Sequence, residues 1–164
     1  MLDLRAVGAG HPDAVALNVA VQDHYRVVYG DGDGTPLSPG QFDPPHGLYL
    51  VGYDGGRPVV SGAWRAVDAD PSGSGVLRPG DAEIKRMYVV PEARGRGYAR
   101  TLLAEIERTA LAAGRTRTVL ETGDAQPEAI ALYTSSGYEP IPRFGLYRDD
   151  ERSRCFAKLL EPAG

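Results

Sequence analysis

The ten residues PEARGRGYAR, positions 91–100, combine three arginines with two glycines in a way that suits anion binding. They lie between a β-prone run and a helical pattern, so the first backbone N–H groups of the helix have no partner within it. The helix dipole adds partial positive charge at the same end, which favours an anion. Gly95 and Gly97 let phosphate oxygens approach the main chain without meeting a Cβ. We therefore expect a phosphate here, and in particular a pyrophosphate.

The turn alone does not identify the phosphate ligand. The lysine and the serine or threonine of a P-loop are absent, and Arg100 stands where a Rossmann fingerprint needs its third glycine. A tight turn that merely carries solvated arginines would have the same sequence. A second element of the sequence therefore has to be considered together with the turn.

That second element is QPEAIALYTSSGY at 126–138, which follows EIKRMYVVPEARGRGYARTLLAEIE at 83–107. Together they resemble the acetyl-CoA-dependent N-acetyltransferase superfamily (GNAT), over roughly residues 48–160. The family pattern Q/R-x-x-G-x-G/A is met by RGRGYA, and the pattern N-x-x-A-x-x-L-Y-x-x-x-G-F is met with two departures. Gln126 replaces the usual Asn, which affects one cofactor contact, and Tyr138 replaces Phe, which affects packing.

The resemblance implies acetyl-CoA as the co-substrate. Its pyrophosphate would rest on the backbone of residues 95–100, and its pantetheine arm would pair with the strand edge around Met87 and Val89, like an added strand. Arg96 and Arg100 have solvated surface charge as an alternative role. The implied cofactor-binding residues are Met87, Tyr88, Val89, Arg94, Gly95, Arg96, Gly97, Tyr98, Ala99, Arg100, Gln126 and Tyr133.

Acetyl transfer to an amine needs a base, because an alkyl ammonium with a pKa near ~10.4 is mostly protonated at neutral pH. Many family members carry an acid at the start of the central strand, and Glu83 stands there. Simple alternation puts Glu83 on the same face as Met87 and Val89. A surface ion pair is the other interpretation of Glu83, and Glu121 is the second candidate base.

The reaction also needs a donor for the acetyl oxygen and an acid for the departing thiolate. The family uses the backbone N–H of Val89 for the first task, where a fixed dipole stabilises developing charge. Tyr133 occupies the position of the family's acid, with a hydroxyl that can donate a proton. Packing on the inner face of a helix is the alternative role for this tyrosine.

The acceptor is expected to be the primary amine of a small molecule. A protein or peptide amine is the nearest alternative, and a non-catalytic acyl-CoA sensor is an alternative from another class. We expect specificity to come from the Gly- and Pro-rich loop 30–47, from the hairpin, and from the tail 144–154, whose acidic residues could attract a cationic amine. The predicted acceptor contacts are His46, Trp64, Arg65, Glu83, Glu121 and Tyr147.

These residues need a scaffold, which the sequence pattern supplies in outline. A helical pattern covers 12–29, and β-prone runs at 48–53 and 58–67 flank a turn-rich junction, which predicts a hairpin. A central strand at 82–90, a helix ending near Gly114, a strand at 118–122, a helix within 126–137 and two final strands follow. The result is a mixed α/β (α+β) domain. The resemblance adds a mixed, mostly antiparallel sheet of six or seven strands flanked by helices, whose splayed central strands hold the cofactor.

Length and composition are those of one globular domain. The chain has 164 residues and a net charge of −4, so we expect a single domain over 1–164, with its cofactor-binding core at about 82–140. The acidic balance argues against a nucleic-acid partner, and no run is apolar enough for a membrane span. His11, His24 and His46 lack metal-ligand spacing, and Cys155 in an apolar run is expected to be inert. A cytoplasmic monomer or homodimer without metal is the expectation.

Overall fold

A computed structural model describes residues 1–35 and 37–162 of the chain. Pro36, in the predicted loop 30–47, and the last two residues of the predicted domain lie outside the described residues. The helices and strands, in chain order, are β1 (Leu2–Val7), α1 (Pro12–Tyr29), β2 (Gly47–Asp54), β3 (Arg57–Val67), β4 (Asp81–Val89), α2 (Tyr98–Ala112), β5 (Arg117–Gly123), α3 (Pro127–Ser135), β6 (Glu139–Ile141) and β7 (Ser153–Leu159).

The seven strands among the described residues form one sheet with the order β1-β2-β3-β4-β5-β7-β6. Only the β4–β5 pair is parallel, and the other neighbours are antiparallel. A parallel pair needs a crossover connection, which α2 provides between β4 and β5. The predicted mixed, mostly antiparallel sheet with flanking helices is confirmed.

The two faces of the sheet carry separate hydrophobic clusters. On one face α1 buries Ala14 and Leu17 against Tyr49 and Val51 of β2. On the opposite face α2 buries an apolar stripe that includes Leu102 and Ile106, which pack with Trp64 of β3 and Ile84 of β4. Such a stripe buried against a sheet is the main source of stability for both helices.

The central strands β4 and β5 pair over part of their length only. Their register runs from Asp81 opposite Arg117 to Ile84 opposite Leu120 and then stops. At the closed end the buried Arg117 guanidinium donates to both carboxylate oxygens of Asp81, at 2.8 and 2.7 Å. Beyond Ile84 the two strands diverge, which confirms the predicted splay.

The sequence patterns missed one strand. Residues 2–7 form β1, which pairs with β2 and carries Leu2 and Leu4 toward the core. Its alternation is too short to distinguish a strand from an irregular segment. Residues 2–7 form a strand because they pair with the edge of β2. The first of the two predicted final strands is short, because only Glu139–Ile141 is extended.

Strand β4 contains a bulge that overturns the predicted alternation. Between the pairs Ser61–Tyr88 and Ala63–Lys85, β4 has one more residue than β3. Within that bulge Arg86 adopts a φ of 61°. Met87 and Val89 consequently join the α2 cluster, whereas Glu83 faces the side of α1. The prediction that Glu83 shares a face with Met87 and Val89 is therefore wrong, because the extra residue reverses the pleat.

Candidate active site

The glycine-rich turn presents free backbone donors at the start of α2. Gly95 and Gly97 have φ values of 81° and 79°, which a residue with a Cβ adopts only at a cost. Gly97 is the N-cap of α2 and carries no side-chain cap. Among the described residues, no acceptor takes the N–H groups of residues 95–100. No described atom lies within 4 Å of where a Cβ would stand at either glycine, so the cradle is open.

The arginines of the turn have different roles in the fold. Arg94 donates from Nε to the Val89 carbonyl at 3.1 Å. Arg100 donates to the hydroxyls of Ser135 and Ser136 at 2.8 and 3.1 Å, which ties α2 to the end of α3. Arg94 and Arg100 both line the cleft at this turn, whereas Arg96 turns away from it and pairs with Asp54 at 3.3 Å. Arg96 thus follows the alternative interpretation of a surface charge.

A cleft of about 510 Å³ runs from the turn into the gap between β4 and β5. It is also bordered by His24 of α1 and by residues 125–129 at the start of α3. Eleven of the twelve predicted cofactor-binding residues line it: Met87, Tyr88, Val89, Arg94, Gly95, Gly97, Tyr98, Ala99, Arg100, Gln126 and Tyr133. The turn and the second sequence element therefore meet in one place.

The hydrogen-bond pattern of β4 directs the Val89 N–H into that gap. Val89 lies opposite Val60, and the next N–H, that of Val90, donates to the Val59 carbonyl at 2.9 Å. In an antiparallel ladder this pattern turns the N–H and C=O of Val89 away from β3. Since β5 has already diverged, the Val89 N–H faces the cleft.

A second cavity, of about 300 Å³, lies on the other side of Tyr133. It is bounded by the end of α1, the loop at 31–33, the bulge of β4, the end of β5 and the segment 147–153. Four residues line both spaces: Met87, Gln126, Ala129 and Tyr133. The two cavities therefore meet at these side chains.

Tyr133 is buried at this junction. Its hydroxyl lies 3.7 Å from Met87 Sδ, a weak acceptor, and its ring packs edge-on against Tyr138 with centroids 5.7 Å apart. Burial raises the pKa of Tyr133 to about 12, so the hydroxyl stays protonated near neutral pH. The side chain thus packs in the core, and it also lines both cavities.

Glu83 is not placed to act as a base. Arg65, its cross-strand neighbour, holds the Glu83 carboxylate with donors at 3.0 and 2.9 Å. The Glu83 side chain is only 8% exposed, and it lines neither cavity. Arg65 in turn donates to Gln41 at 2.9 Å. The ion-pair interpretation of Glu83 therefore describes this structure, although the pair is buried rather than on the surface.

Glu121 lines the second cavity and has the properties of a base. The Ser153 hydroxyl donates to Glu121 Oε2 at 3.2 Å. Burial raises the pKa of Glu121 to about 7, and the nearby Lys85 ammonium offsets this only in part. A carboxylate with a pKa near neutrality can accept a proton and release it again at physiological pH. The second candidate base is thus the better placed of the two.

The predicted acceptor contacts do not all lie at the cavity. Trp64 is a core residue whose Nε1 donates to Thr109 Oγ1 at 3.1 Å. Neither Trp64 nor Arg65 nor the exposed His46 lines the cavity, so these three no longer belong to the acceptor set. Tyr147 does line it, and its hydroxyl accepts from the Gly34 N–H at 2.6 Å. This bond joins the two loops that were expected to give specificity.

The sequence interpretation missed charged and aromatic residues of the second cavity. Lys85 donates to Asp33 at 3.0 Å. Burial alone would raise the pKa of Asp33, but Lys85 and the hydrogen bonds from Thr35 lower it to about 2. The sequence did contain a signal for these residues. Lys85 and Arg86 are adjacent charged residues in a predicted central strand, and charged side chains are rarely buried unless they are paired. The other residues missed here are Tyr25, Tyr29, Asp31, Arg86, Arg152 and Ser153, whereas Asp150 belongs to the acidic tail that was expected to attract the amine.

Two structural findings concern metals and membranes. Within residues 1–35 and 37–162, no three His, Cys, Asp or Glu side chains come together as a metal site would require. The helices in that part of the chain are all too short or too polar to cross a membrane. Cys155 is buried, and burial raises the pKa of its thiol, which disfavours the reactive thiolate.

Comparison with known proteins gives consistent results. Residues 16–138 match the acetyltransferase (GNAT) family. An IAA acetyltransferase from Azospirillum brasilense is 44% identical over 81 residues, which are 49% of this chain and 53% of that protein. The chain spans about half the length of the curated relatives it matches.

Solved structures extend the similarity over nearly the whole chain. A structure described as an acyl-CoA N-acyltransferase from Klebsiella pneumoniae is 28% identical, with a TM-score of 0.78, and the match covers 98% of this chain and 99% of that one. An N-acetyltransferase from Thermoplasma acidophilum in complex with coenzyme A has a TM-score of 0.70 at 13% identity, covering 97% of this chain and 99% of that one. At that identity the second likeness shows the fold alone.

Proposed function

The chain belongs to the acetyltransferase (GNAT) family. From that premise we propose that it is an acyltransferase, which moves an acetyl group from acetyl-CoA to the primary amine of a small molecule. Transfer is direct, with both substrates bound at once. The observation that carries this proposal is the meeting of two cavities at Met87, Gln126, Ala129 and Tyr133. One cavity has the donors for a pyrophosphate, and the other has a base.

The residues of the cleft fit the cofactor that the family uses. The free N–H groups of residues 95–100 and the positive end of α2 suit a pyrophosphate. The N–H of Val89 faces the gap between β4 and β5, where an extended arm can pair with it as an added strand. When bound, acetyl-CoA supplies the activated acetyl thioester. The protein supplies the positions of the reacting groups and the proton transfers.

Glu121 prepares the acceptor by taking a proton from its ammonium group. The amine nitrogen then forms a bond to the acetyl carbon and loses its second proton to solvent, and the carbon–sulfur bond breaks with its electrons remaining on sulfur. The Val89 N–H stabilises the negative charge that gathers on the acetyl oxygen during this change. Glu121 later releases its proton to solvent, which a pKa of about 7 permits.

Tyr133 completes the proton balance at the sulfur atom. Its hydroxyl gives a proton to the departing thiolate and recovers one from solvent before the next cycle. Because burial keeps Tyr133 protonated, the donor is ready over the whole physiological pH range. The balanced result is an N-acetyl amide, free coenzyme A and one proton, formed from the ammonium form of the acceptor.

The shape of the second cavity favours a small acceptor over a protein amine. Its volume of about 300 Å³ lies at the lower end of small-molecule sites, which typically span about 300–1,000 Å³. The hydrogen bond between Tyr147 and Gly34 joins the loops on either side of its mouth. A lysine on a protein surface would need that mouth to open wider.

The experiment that tests this function is an acetyl-transfer assay over a broad panel. The protein is incubated with acetyl-CoA and with small amines, amino acids, or peptides with a free N-terminus or lysine. Thiol release is followed, and the acetylated product is identified by mass spectrometry. We expect transfer to small amines. Transfer to peptides alone would assign a protein acceptor, and tight coenzyme A binding without any transfer would indicate a sensor.

A further inference from the structure

Arg86 has a buried guanidinium that no described residue satisfies. Its side chain is only 4% exposed, and it lines the second cavity. Neither Nε nor Nη1 has a hydrogen-bond partner in the described parts of the chain. The nearest described carboxylate oxygen, Asp33 Oδ2, is 3.7 Å from Nη2, which is too far for a hydrogen bond. A buried cation with unused donors is costly unless something pairs with it.

Asp33 makes its close hydrogen bonds to donors other than Arg86. Lys85 Nζ donates to Oδ2 at 3.0 Å, and the Thr35 N–H donates to Oδ1 at 2.9 Å. The charges of Lys85 and Asp33 therefore balance each other. The other carboxylates that line the cavity have other partners: Asp150 pairs with Arg152 at 2.9 Å, Glu121 accepts from Ser153, and Asp31 accepts from the Gly32 N–H at 2.8 Å. Arg86 therefore has one carboxylate at ion-pair distance, Asp33, but its Nε and Nη1 donors have no hydrogen-bond acceptor among the described residues.

The backbone of Arg86 is itself unusual. It is the only non-glycine residue with a positive φ in the described parts of the chain, and such a conformation strains a residue that has a Cβ. The extra residue of the β4 bulge brings this side chain to the cavity beside Lys85. Bulges next to active sites commonly re-aim a side chain in this way. Backbone strain and unsatisfied hydrogen-bond donors thus occur in the same residue, at the site.

We propose that the acceptor amine carries a carboxylate group, as an amino acid does, and that Arg86 binds that carboxylate while the amine lies toward Glu121 and Tyr133. This inference rests on the proposed function, because it names the substrate class of the same site. A guanidinium suits a carboxylate well, since its planar donors match the carboxylate oxygens. The volume of about 300 Å³ accommodates a molecule of amino-acid size.

The test compares amines that differ only at the carboxylate. Wild-type kcat/KM is measured for phenylalanine, its amide, 2-phenylethylamine and the matching aminophosphonate, and for leucine with its decarboxylated counterpart. We expect the carboxylate form to be preferred by about 10- to 100-fold, the usual effect of a charge-assisted hydrogen bond. The proposal would be overturned if the amines without an anionic group had an equal or higher kcat/KM than the carboxylates. A higher kcat/KM for the phosphonate would also overturn it.

Variants then attribute the preference to Arg86. Arg86→Gln should bring amines with and without a carboxylate to similar kcat/KM values, whereas Arg86→Lys should keep part of the preference for the carboxylate. Arg108→Gln is the matched control, because Arg108 is an exposed arginine of α2 that pairs with Glu105. A preference that survives unchanged in Arg86→Gln would exclude Arg86 as the anion site. The wild-type comparison decides the substrate class even if Arg86→Gln fails to fold.

A binding measurement separates this inference from the proposed function. Calorimetric titration of the coenzyme A complex with the same amino acids and amines needs no turnover. If no acceptor is acetylated, the transferase proposal fails for this panel, and the titration alone decides the anion site. Carboxylate binding that is lost in Arg86→Gln supports it. The proposed anion site is overturned if wild type binds no amino acid, or if it binds amines without a carboxylate equally well.

Discussion

Glu83 and Glu121 show how the surroundings of a carboxylate decide its chemistry. Glu83 accepts two close donors from Arg65 and lines neither cavity. Glu121 lies at the end of β5, where burial raises its pKa to about 7. Arg65 holds the Glu83 carboxylate away from both cavities, whereas the desolvated Glu121 carboxylate faces the second cavity and gains a proton more readily. The same side-chain type is therefore structural in one place and a candidate base in the other.

The first prediction concerns Glu121→Gln. The wild-type kcat/KM should fall as pH drops through about 7, because protonation of Glu121 removes the base. The variant should lose about 10²- to 10⁴-fold in kcat at pH 8, and the inflection near pH 7 should disappear. The measurement is a pH profile of kcat/KM for one acceptor. An inflection that persists in the variant would assign it to another group.

Glu83→Gln is the control for that experiment. The inflection of kcat/KM near pH 7 should remain, and the variant should lose about 1–3 kcal/mol of unfolding free energy, because Arg65 loses its charged partner.

The pH dependence of the unfolding free energy is a second test of Glu121. Its folded-state pKa of about 7 exceeds the ordinary 4.5, so its contribution to stability declines as pH rises through that window. Glu121→Gln should remove this decline.

The second prediction concerns Tyr133→Phe, which deletes only the hydroxyl. Because that hydroxyl has only the weak Met87 sulfur acceptor among the described residues, the free energy of unfolding should change by less than about 1 kcal/mol. Loss of the proton donor should lower kcat by about 10²- to 10⁴-fold. Single-turnover traces with enzyme in excess remove any masking by product release. A rate within about twofold of wild type would leave Tyr133 as a packing residue.

Local motifs predicted part of the site, and only residues close in sequence were predictable in this way. The turn at 94–99 and Tyr133 belong to short patterns with fixed spacing, and all of these residues except Arg96 line the cleft. The partner of Glu83 depends on the cross-strand register of β3 and β4, which no local pattern encodes. The role of Arg86 depends on a single extra residue in β4, and alternation assumes that no such residue exists.

At the scale of elements, the junction of β4 and α2 depends on two left-handed glycines. Each keeps the chain in a conformation that places free N–H groups at the helix end. Gly114, just beyond the other end of α2, has a similar φ of 86° but lies outside the cleft. The helix therefore carries a natural control for the effect of backbone strain alone.

The third prediction compares Gly97→Ala with Gly114→Ala. Both should lower the free energy of unfolding by about 1 kcal/mol, because each forces a Cβ into the left-handed region. Only Gly97→Ala should weaken coenzyme A binding, by at least about tenfold, since its Cβ narrows the approach to the N–H groups. Calorimetric titration of both variants provides the comparison. Equal loss of affinity in the two would point to a general effect of helix destabilisation.

The elements themselves were largely predictable because their apolar patterns are long and clearly bounded. Helix α1 has the predicted bounds, and the hairpin of β2 and β3 forms as expected. The strands at the two edges of the sheet, β1 and β6, were harder to predict because they are short. Their extended conformation comes from pairing with distant partners rather than from propensity.

At the scale of the whole molecule, the fourth prediction is ligand stabilisation. Coenzyme A at about 100 times its Kd should raise the free energy of unfolding by ~2.7 kcal/mol. For a domain of this size that corresponds to an increase in Tm of about 5–10 °C. Thermal unfolding at several coenzyme A concentrations measures it. A Tm that does not respond to coenzyme A would contradict the assignment of the cleft.

The partial pairing of β4 and β5 also makes the sheet a two-pronged fork. One prong is β1–β4 and the other is β5–β7, and strand pairing joins them only from Asp81–Arg117 to Ile84–Leu120. The buried Asp81–Arg117 ion pair fixes the stem, while the open tips rely on side chains and on whatever lies between them. A ligand that pairs with the open ends of β4 and β5 therefore connects the two halves of the sheet. If the proposed cofactor pairs there, we expect the unfolding cooperativity of the whole sheet, and not only of the active site, to depend on the supply of cofactor.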